Sequence, residues 1–134
     1  MIRVLFVDDE PRLRSAWERL FAGQADFKLV GTLESADGLG DVAARVGADI
    51  IVLDLSMPGA DPLEIVKQMS EKGSAARVVM YSGHCGIELM QSAFDAGAWA
   101  FVDKLAPTAE LFDVLRRVAA GEVVLPPRLS IRRS

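Results

Sequence analysis

Four short apolar runs in this chain each end in a residue suited to phosphoryl chemistry. Ile2-Arg3-Val4-Leu5-Phe6-Val7 ends in Asp8-Asp9, and Ile50-Ile51-Val52-Leu53 ends in Asp54. Arg77-Val78-Val79-Met80-Tyr81 ends in Ser82, and Ala100-Phe101-Val102-Asp103 ends in Lys104. In an open parallel sheet the strand C-termini share one edge, where ligands bind. If the runs are parallel strands, three carboxylates, a hydroxyl and an ammonium meet there. Three crowded carboxylates repel one another unless a cation joins them. Mg²⁺ takes oxygen ligands and is commonly held by one or two carboxylates plus a phosphate. The set suggests Mg²⁺-dependent transfer of a phosphoryl group to an aspartate.

Asp54 is the carboxylate best placed as the nucleophile, because it ends the most apolar run and a turn follows it. A carboxylate can accept a phosphoryl group as an acyl phosphate. Such a transfer depends on positioning and on charge stabilisation of the equatorial oxygens. Mg²⁺ would cover one oxygen, the Lys104 ammonium a second, and the Ser82 hydroxyl with nearby N–H groups a third. Taken singly, each residue has an ordinary explanation: an aspartate after a strand caps helices, a serine makes turns, a lysine is solvated. The ordered set is what discriminates.

Positioning these groups requires alternating strands and helices. Residues 2–7 read as a buried strand. Pro11 suits a helix's first turn, and Leu13, Trp17, Leu20 and Phe21 follow at helical spacing until Gly23. Residues 28–33 form a second strand, and 36–46 a helix with Leu39, Val42, Ala43 and Val46 on one face. Residues 49–54 carry the unbroken run Ile50-Ile51-Val52-Leu53 and read as a strand covered on both faces. Leu55-Ser56-Met57-Pro58-Gly59 is a turn. Asp61, Pro62 and Glu64 read as N-cap, first-turn proline and third-position acid of a helix reaching about Lys72. A strand over 77–82, a helix over 86–96, a strand over 99–103 and a helix capped by Thr108 and ending at Gly121 complete the pattern. Five strands alternating with five helices make one α/β domain, with right-handed crossovers and helices on both faces. Residues 122–134, with Pro126-Pro127, leave the pattern and read as a linker or tail.

Composition narrows the class. At 134 residues, one domain is expected. The content of 51% hydrophobic and 25% charged residues is that of a globular protein. A net charge of −4 disfavours direct nucleic-acid binding by the whole chain. Its basic cluster, Arg128, Arg132 and Arg133, reads as a solvated tail. A single cysteine, Cys85, allows no internal disulfide. No run approaches the ~20 apolar residues of a membrane span, and the N-terminus lacks a signal-peptide pattern. A cytoplasmic protein without membrane association is expected.

The segments Val7-Asp8-Asp9-Glu10-Pro11, Asp54-Leu55-Ser56-Met57-Pro58-Gly59, Tyr81-Ser82-Gly83-His84 and Gly97-Ala98-Trp99-Ala100-Phe101-Val102-Asp103-Lys104 together resemble the receiver domains of two-component response regulators. The resemblance covers about residues 1–121. It implies a flavodoxin-like, doubly wound (βα)5 fold with a five-stranded parallel sheet of order 2-1-3-4-5. It also implies that Asp54 is the phosphoacceptor and that Asp8 and Asp9 bind Mg²⁺ with Asp54 and the Ser56 carbonyl. Ser82 matches the hydroxyl switch residue, Phe101 the aromatic switch residue, and Lys104 the family's lysine. Ser56 and His84 fall where receivers tune phosphoryl lifetime. The implied phosphodonor is a sensor histidine kinase, and the implied assembly is a homodimer.

Two departures stand out. Pro62 replaces a common glycine, and Leu105 follows Lys104 where many receivers have proline, which removes the usual case for a cis peptide. Lys104-Leu105-Ala106-Pro107 and Leu115–Glu122 look most like receivers joined to a LuxR-type helix-turn-helix domain. No such domain fits within the chain, so DNA contact is expected only through a segment outside it. A stand-alone receiver and an unphosphorylated pseudo-receiver serving as a dimerisation module are the alternatives. A phosphohydrolase using an aspartyl phosphate is disfavoured, because its general acid would stand at Ser56. The expected switch has Ser82 moving to the phosphoryl group and Phe101 turning inward to fill the vacated space. Trp17 is expected in the core, Trp99 partly exposed.

Overall fold

A computed structural model describes residues 1–57 and 61–129. The expected turn at Pro58-Gly59 and the arginines 132 and 133 lie outside the described residues. Ten elements alternate: β1 (Ile2–Val7), α1 (Pro11–Ala22), β2 (Phe27–Leu33), α2 (Leu39–Val46), β3 (Ile50–Asp54), α3 (Pro62–Glu71), β4 (Arg77–Ser82), α4 (Ile87–Ala96), β5 (Ala100–Asp103) and α5 (Thr108–Ala119). The sheet is parallel, of order β2-β1-β3-β4-β5.

Register fixes the functional edge. Val7 pairs with Leu33 and Leu53, Asp54 with Tyr81, and Ser82 with Asp103. One step beyond Val7 and Asp103, the chain presents Asp8 and Lys104 beside Asp54 and Ser82. β3 is buried along its whole length, as expected for a strand with helices on both sides.

The two sheet faces carry separate cores, as strand alternation requires. Val4, Phe6, Ile50, Val52, Val79, Tyr81, Ala100 and Val102 meet Trp17, Phe21 and Leu115 on the α1/α5 side. Leu5, Val7, Ile51, Leu53, Val78, Met80 and Phe101 meet Leu39, Val66, Met69 and Met90 on the other. Asp61 caps α3 by accepting the Leu63 N–H at 3.0 Å, with Pro62 in the first turn, as the sequence predicts.

Several expectations need correction. The helix expected over 36–46 starts only at Leu39, because Gly38 before it is left-handed at φ 67°. Thr108 is the first residue of α5 and does not cap it; extended Pro107 occupies the cap position. Trp17 and Phe21 are buried, but Leu13 and Leu20 remain 38% exposed, so the buried stripe of α1 is narrower than the spacing implied. The linker or ordering tail expected beyond residue 121 lies against the domain over residues 122–129. Val124 forms a parallel bridge with Ala100, and Leu129 is fully buried.

Candidate phosphoacceptor site

The backbone holds each acidic group in place. Asp8 donates its N–H to the Leu33 carbonyl at 2.9 Å, while its Oδ1 accepts the Glu10 N–H at 2.9 Å. The Asp8 carbonyl accepts from Arg14 at 3.1 Å. Asp54 Oδ1 accepts the Ser56 N–H at 2.9 Å, which fixes the carboxylate over the turn leaving β3. Lys104 donates its N–H to the Ser82 carbonyl at 2.9 Å, tying the end of β5 to that of β4.

Side chains complete the cluster. Lys104 Nζ lies 2.9 Å from Asp54 Oδ2 and 3.6 Å from Asp8 Oδ2. Asp8 and Asp54 are 1% and 2% exposed, while Asp9 is exposed at the rim. One carboxylate oxygen from each of Asp8, Asp9 and Asp54 lies within 4.8 Å of the others. Asp8 Oδ2 is buried without a hydrogen-bond partner. Such an atom carries a desolvation cost that the longer Lys104 contact offsets only in part. Burial pushes the Asp8 carboxyl above its ordinary value, opposed by the Glu10 N–H and Lys104 and reinforced by Asp54 and Asp9. Mg²⁺ favours oxygen ligands, and an orphaned, buried carboxylate oxygen facing two more carboxylates fits it.

Not every expected residue points at the carboxylates. The buried Ser82 hydroxyl donates to the His84 carbonyl at 3.0 Å and accepts the His84 N–H at 2.9 Å, so it is engaged within its own loop. Ser56 and His84 are exposed around the site. Phe101 is only 7% exposed. Its ring already lies inward, so the expected outward starting position is not the one found. Trp99 is half-buried, with the Arg77 guanidinium 4.5 Å from its ring centroid, and so presents no free aromatic face there. The peptide bonds around Leu105 are trans, as its lack of proline predicts. Sequence reasoning missed Arg14 at the Asp8 carbonyl and Tyr81, whose ring centroid is 5.7 Å from Lys104 Nζ. Tyr81 carried one signal, its place beside Ser82 at the end of β4. For Arg14 the signal was its helical spacing from the Asp8 turn.

A doubly wound parallel sheet that gathers three carboxylates, a lysine and a hydroxyl at its C-terminal edge defines a class of α/β domain whose site suits a divalent cation and a phosphoryl group. Residues 4–116 match the response regulator receiver domain family, and the chain belongs to that family. It is 32% identical over 127 residues to the nitrate/nitrite response regulator protein NarL of Escherichia coli (strain K12), covering 95% of this chain and 59% of that protein. It is 29% identical over 132 residues to the transcriptional regulatory protein LiaR of Bacillus subtilis, covering 97% of this chain and 62% of that protein. A crystal structure of a LuxR-family two-component response regulator from Aurantimonas sp. SI85-9A1 superposes with a TM-score of 0.86 at 28% identity, covering 96% of this chain and 91% of that one. The chain thus spans about three fifths of the length of these two curated relatives. Among the described residues, no helix is long and apolar enough to cross a membrane.

Proposed function

We propose that Asp54 accepts a phosphoryl group from the phosphohistidine of a sensor kinase and that the resulting charge switches a surface of this domain. The observation that carries this reading is the bridge made by Lys104 Nζ, 2.9 Å from Asp54 Oδ2 and 3.6 Å from the orphaned Asp8 Oδ2. Asp8, Asp9, Asp54 and the Ser56 carbonyl would hold Mg²⁺. When bound, the ion supplies positive charge that offsets both the carboxylates and an equatorial phosphoryl oxygen. An Asp54 oxygen attacks phosphorus. The P–N bond to the donor imidazole breaks, its electron pair stays on the ring nitrogen, and that nitrogen takes up a proton. Lys104 holds a second phosphoryl oxygen, and Ser82 turns to donate to a third.

The open site suits a donor carried on another protein. Asp9, Ser56 and His84 are exposed at the strand-end edge. Self-phosphorylation from a phosphodonor and autodephosphorylation are the reactions this reading assigns to the domain. The name of LiaR, a transcriptional regulatory protein, supports transcriptional output; a DNA-binding domain reached from residues 122–134 would carry it, with the receiver over residues 1–121. A two-fold homodimer in the cytoplasm is the working assembly. Ser56 and His84, exposed beside Asp54 and Ser82, would set the phosphoryl lifetime, and Phe101 would report the state of Ser82.

Intact-protein mass after incubation with Mg²⁺ and a small phosphodonor tests the chemistry. The wild type should gain one phosphoryl group, and Asp54→Asn or chelation of Mg²⁺ should abolish the gain. Absence of both this gain and binding of a beryllofluoride analogue would overturn the reading.

A further inference from the structure

The segment after α5 crosses the free edge of the sheet. Glu122 is held by the Arg117 guanidinium through contacts of 2.6 and 2.9 Å. Val124 donates its N–H to the Trp99 carbonyl at 2.8 Å and bridges Ala100, so it extends the sheet beyond β5. Its side chain joins the α1/α5-side core. Five residues later Leu129, 0% exposed, belongs to the opposite core, the one containing Phe101. A chain that changes face within so few residues wraps the edge of β5 and blocks its exposed N–H and C=O groups.

One side chain ties this segment to the β4–α4 loop. The Arg128 guanidinium donates to the Cys85 carbonyl at 3.1 Å. Cys85 follows His84, whose carbonyl and N–H are both bonded to the Ser82 hydroxyl. Cys85 Sγ in turn lies 3.5 Å from the Ser82 carbonyl. A serine hydroxyl has one proton to donate. It cannot bond a phosphoryl oxygen and keep its donation to His84.

We propose that residues 122–129 are a strap latched to the β4–α4 loop by Arg128 and unlatched when Ser82 turns toward a phosphoryl group on Asp54. The trigger rests on the phosphoacceptor reading above; the latch itself does not. Loss of the Ser82 donation frees the His84 carbonyl and lets the loop re-form. The neighbouring Cys85 carbonyl then moves away from Arg128. With that bond lost, only the buried Leu129 anchors the far end, and the strap loosens from the edge of β5. Ser82 thereby acts on the output through the connecting segment as well as through Phe101.

Hydrogen exchange of the Val124 amide reports the strap, and the ¹⁹F signal of bound beryllofluoride independently reports the site. In the wild type, Mg²⁺ with beryllofluoride should give the bound signal and speed Val124 exchange by about tenfold. Arg128→Ala should speed it by about fivefold without the analogue, the loss of one hydrogen bond, and leave the bound signal unchanged. A bound signal with unchanged or slowed Val124 exchange overturns the trigger and leaves the phosphoacceptor reading standing. Wild-type exchange in Arg128→Ala overturns the latch. No bound signal overturns the phosphoacceptor reading, and the trigger falls with it.

Discussion

The two faces of the sheet are packed from different materials. On the α1/α5 face, Phe6 stacks on Trp17 at 5.0 Å and meets Phe21 and Tyr81 edge-on at 6.5 and 5.9 Å. Phe112 closes the group against Phe21 at 5.0 Å and Phe27 at 5.4 Å. Rings locked in edge and offset contacts have few alternative packings. The opposite face buries Met57, Met69, Met80 and Met90 among alanines, with Phe101 its fully packed ring. Methionine is flexible and adapts to irregular space. The face that holds Phe101 and receives the strap's Leu129 is therefore the one able to repack at low cost. The aromatic face serves as the fixed support against which it moves.

Substitutions can break or sharpen this contrast. The largest effect is expected at Phe21→Ala, which should destabilise the fold by about 3–5 kcal/mol in denaturant titration, since its ring touches four others. Gly97→Ala should cost about 2–3 kcal/mol, because Gly97 sits at φ 115° and an added Cβ would lie 2.7 Å from Ser70 Oγ. That result would mark the α3–α4 contact as one rigid point on the adaptable face. A near-zero cost would show that α3 and α4 slide freely.

Asp8→Asn should act in the other direction. Folded Asp8 binds its proton at higher pH than the unfolded chain does, because burial penalises its charge. Metal-free stability therefore falls as pH rises from the ordinary carboxylate value through the raised one. Asp8→Asn removes that loss, and should raise the metal-free thermal midpoint at neutral pH. It should also reduce the stabilisation that Mg²⁺ gives the wild type. The smallest effect is expected at Met69→Leu, well under about 1.5 kcal/mol, as a volume-conserving change on a surface that adapts. A cost equal to that of Phe21→Ala would end the distinction between the faces.

Much of the site was legible because period and chemistry coincide. The runs ending at Asp8, Asp54, Ser82 and Lys104 are short, apolar and β-branched, so their ends were readable and so was their shared edge. Thr108 was misread because a threonine before an apolar stripe looks like a cap, while Pro107, fixed in φ, already holds that place. Gly38 hid the true start of α2 for a related reason. Its left-handed backbone leaves no trace in hydrophobic spacing.

The sequence by itself determined the alternation of elements, the strand ends and the chemical character of what those ends present. These follow from local periodicity and residue type, which need no partner. Tertiary structure alone decided that Lys104 bridges Asp8 and Asp54, that Asp8 Oδ2 is left without a hydrogen bond, that Ser82 spends its proton on His84, and that Val124 and Leu129 cross the edge of β5. Each of these is a contact between segments distant in the chain, or a side-chain rotamer chosen among several. Such choices are set by the competition of neighbours for the same space and the same hydrogen bonds, which exists only once the chain has folded.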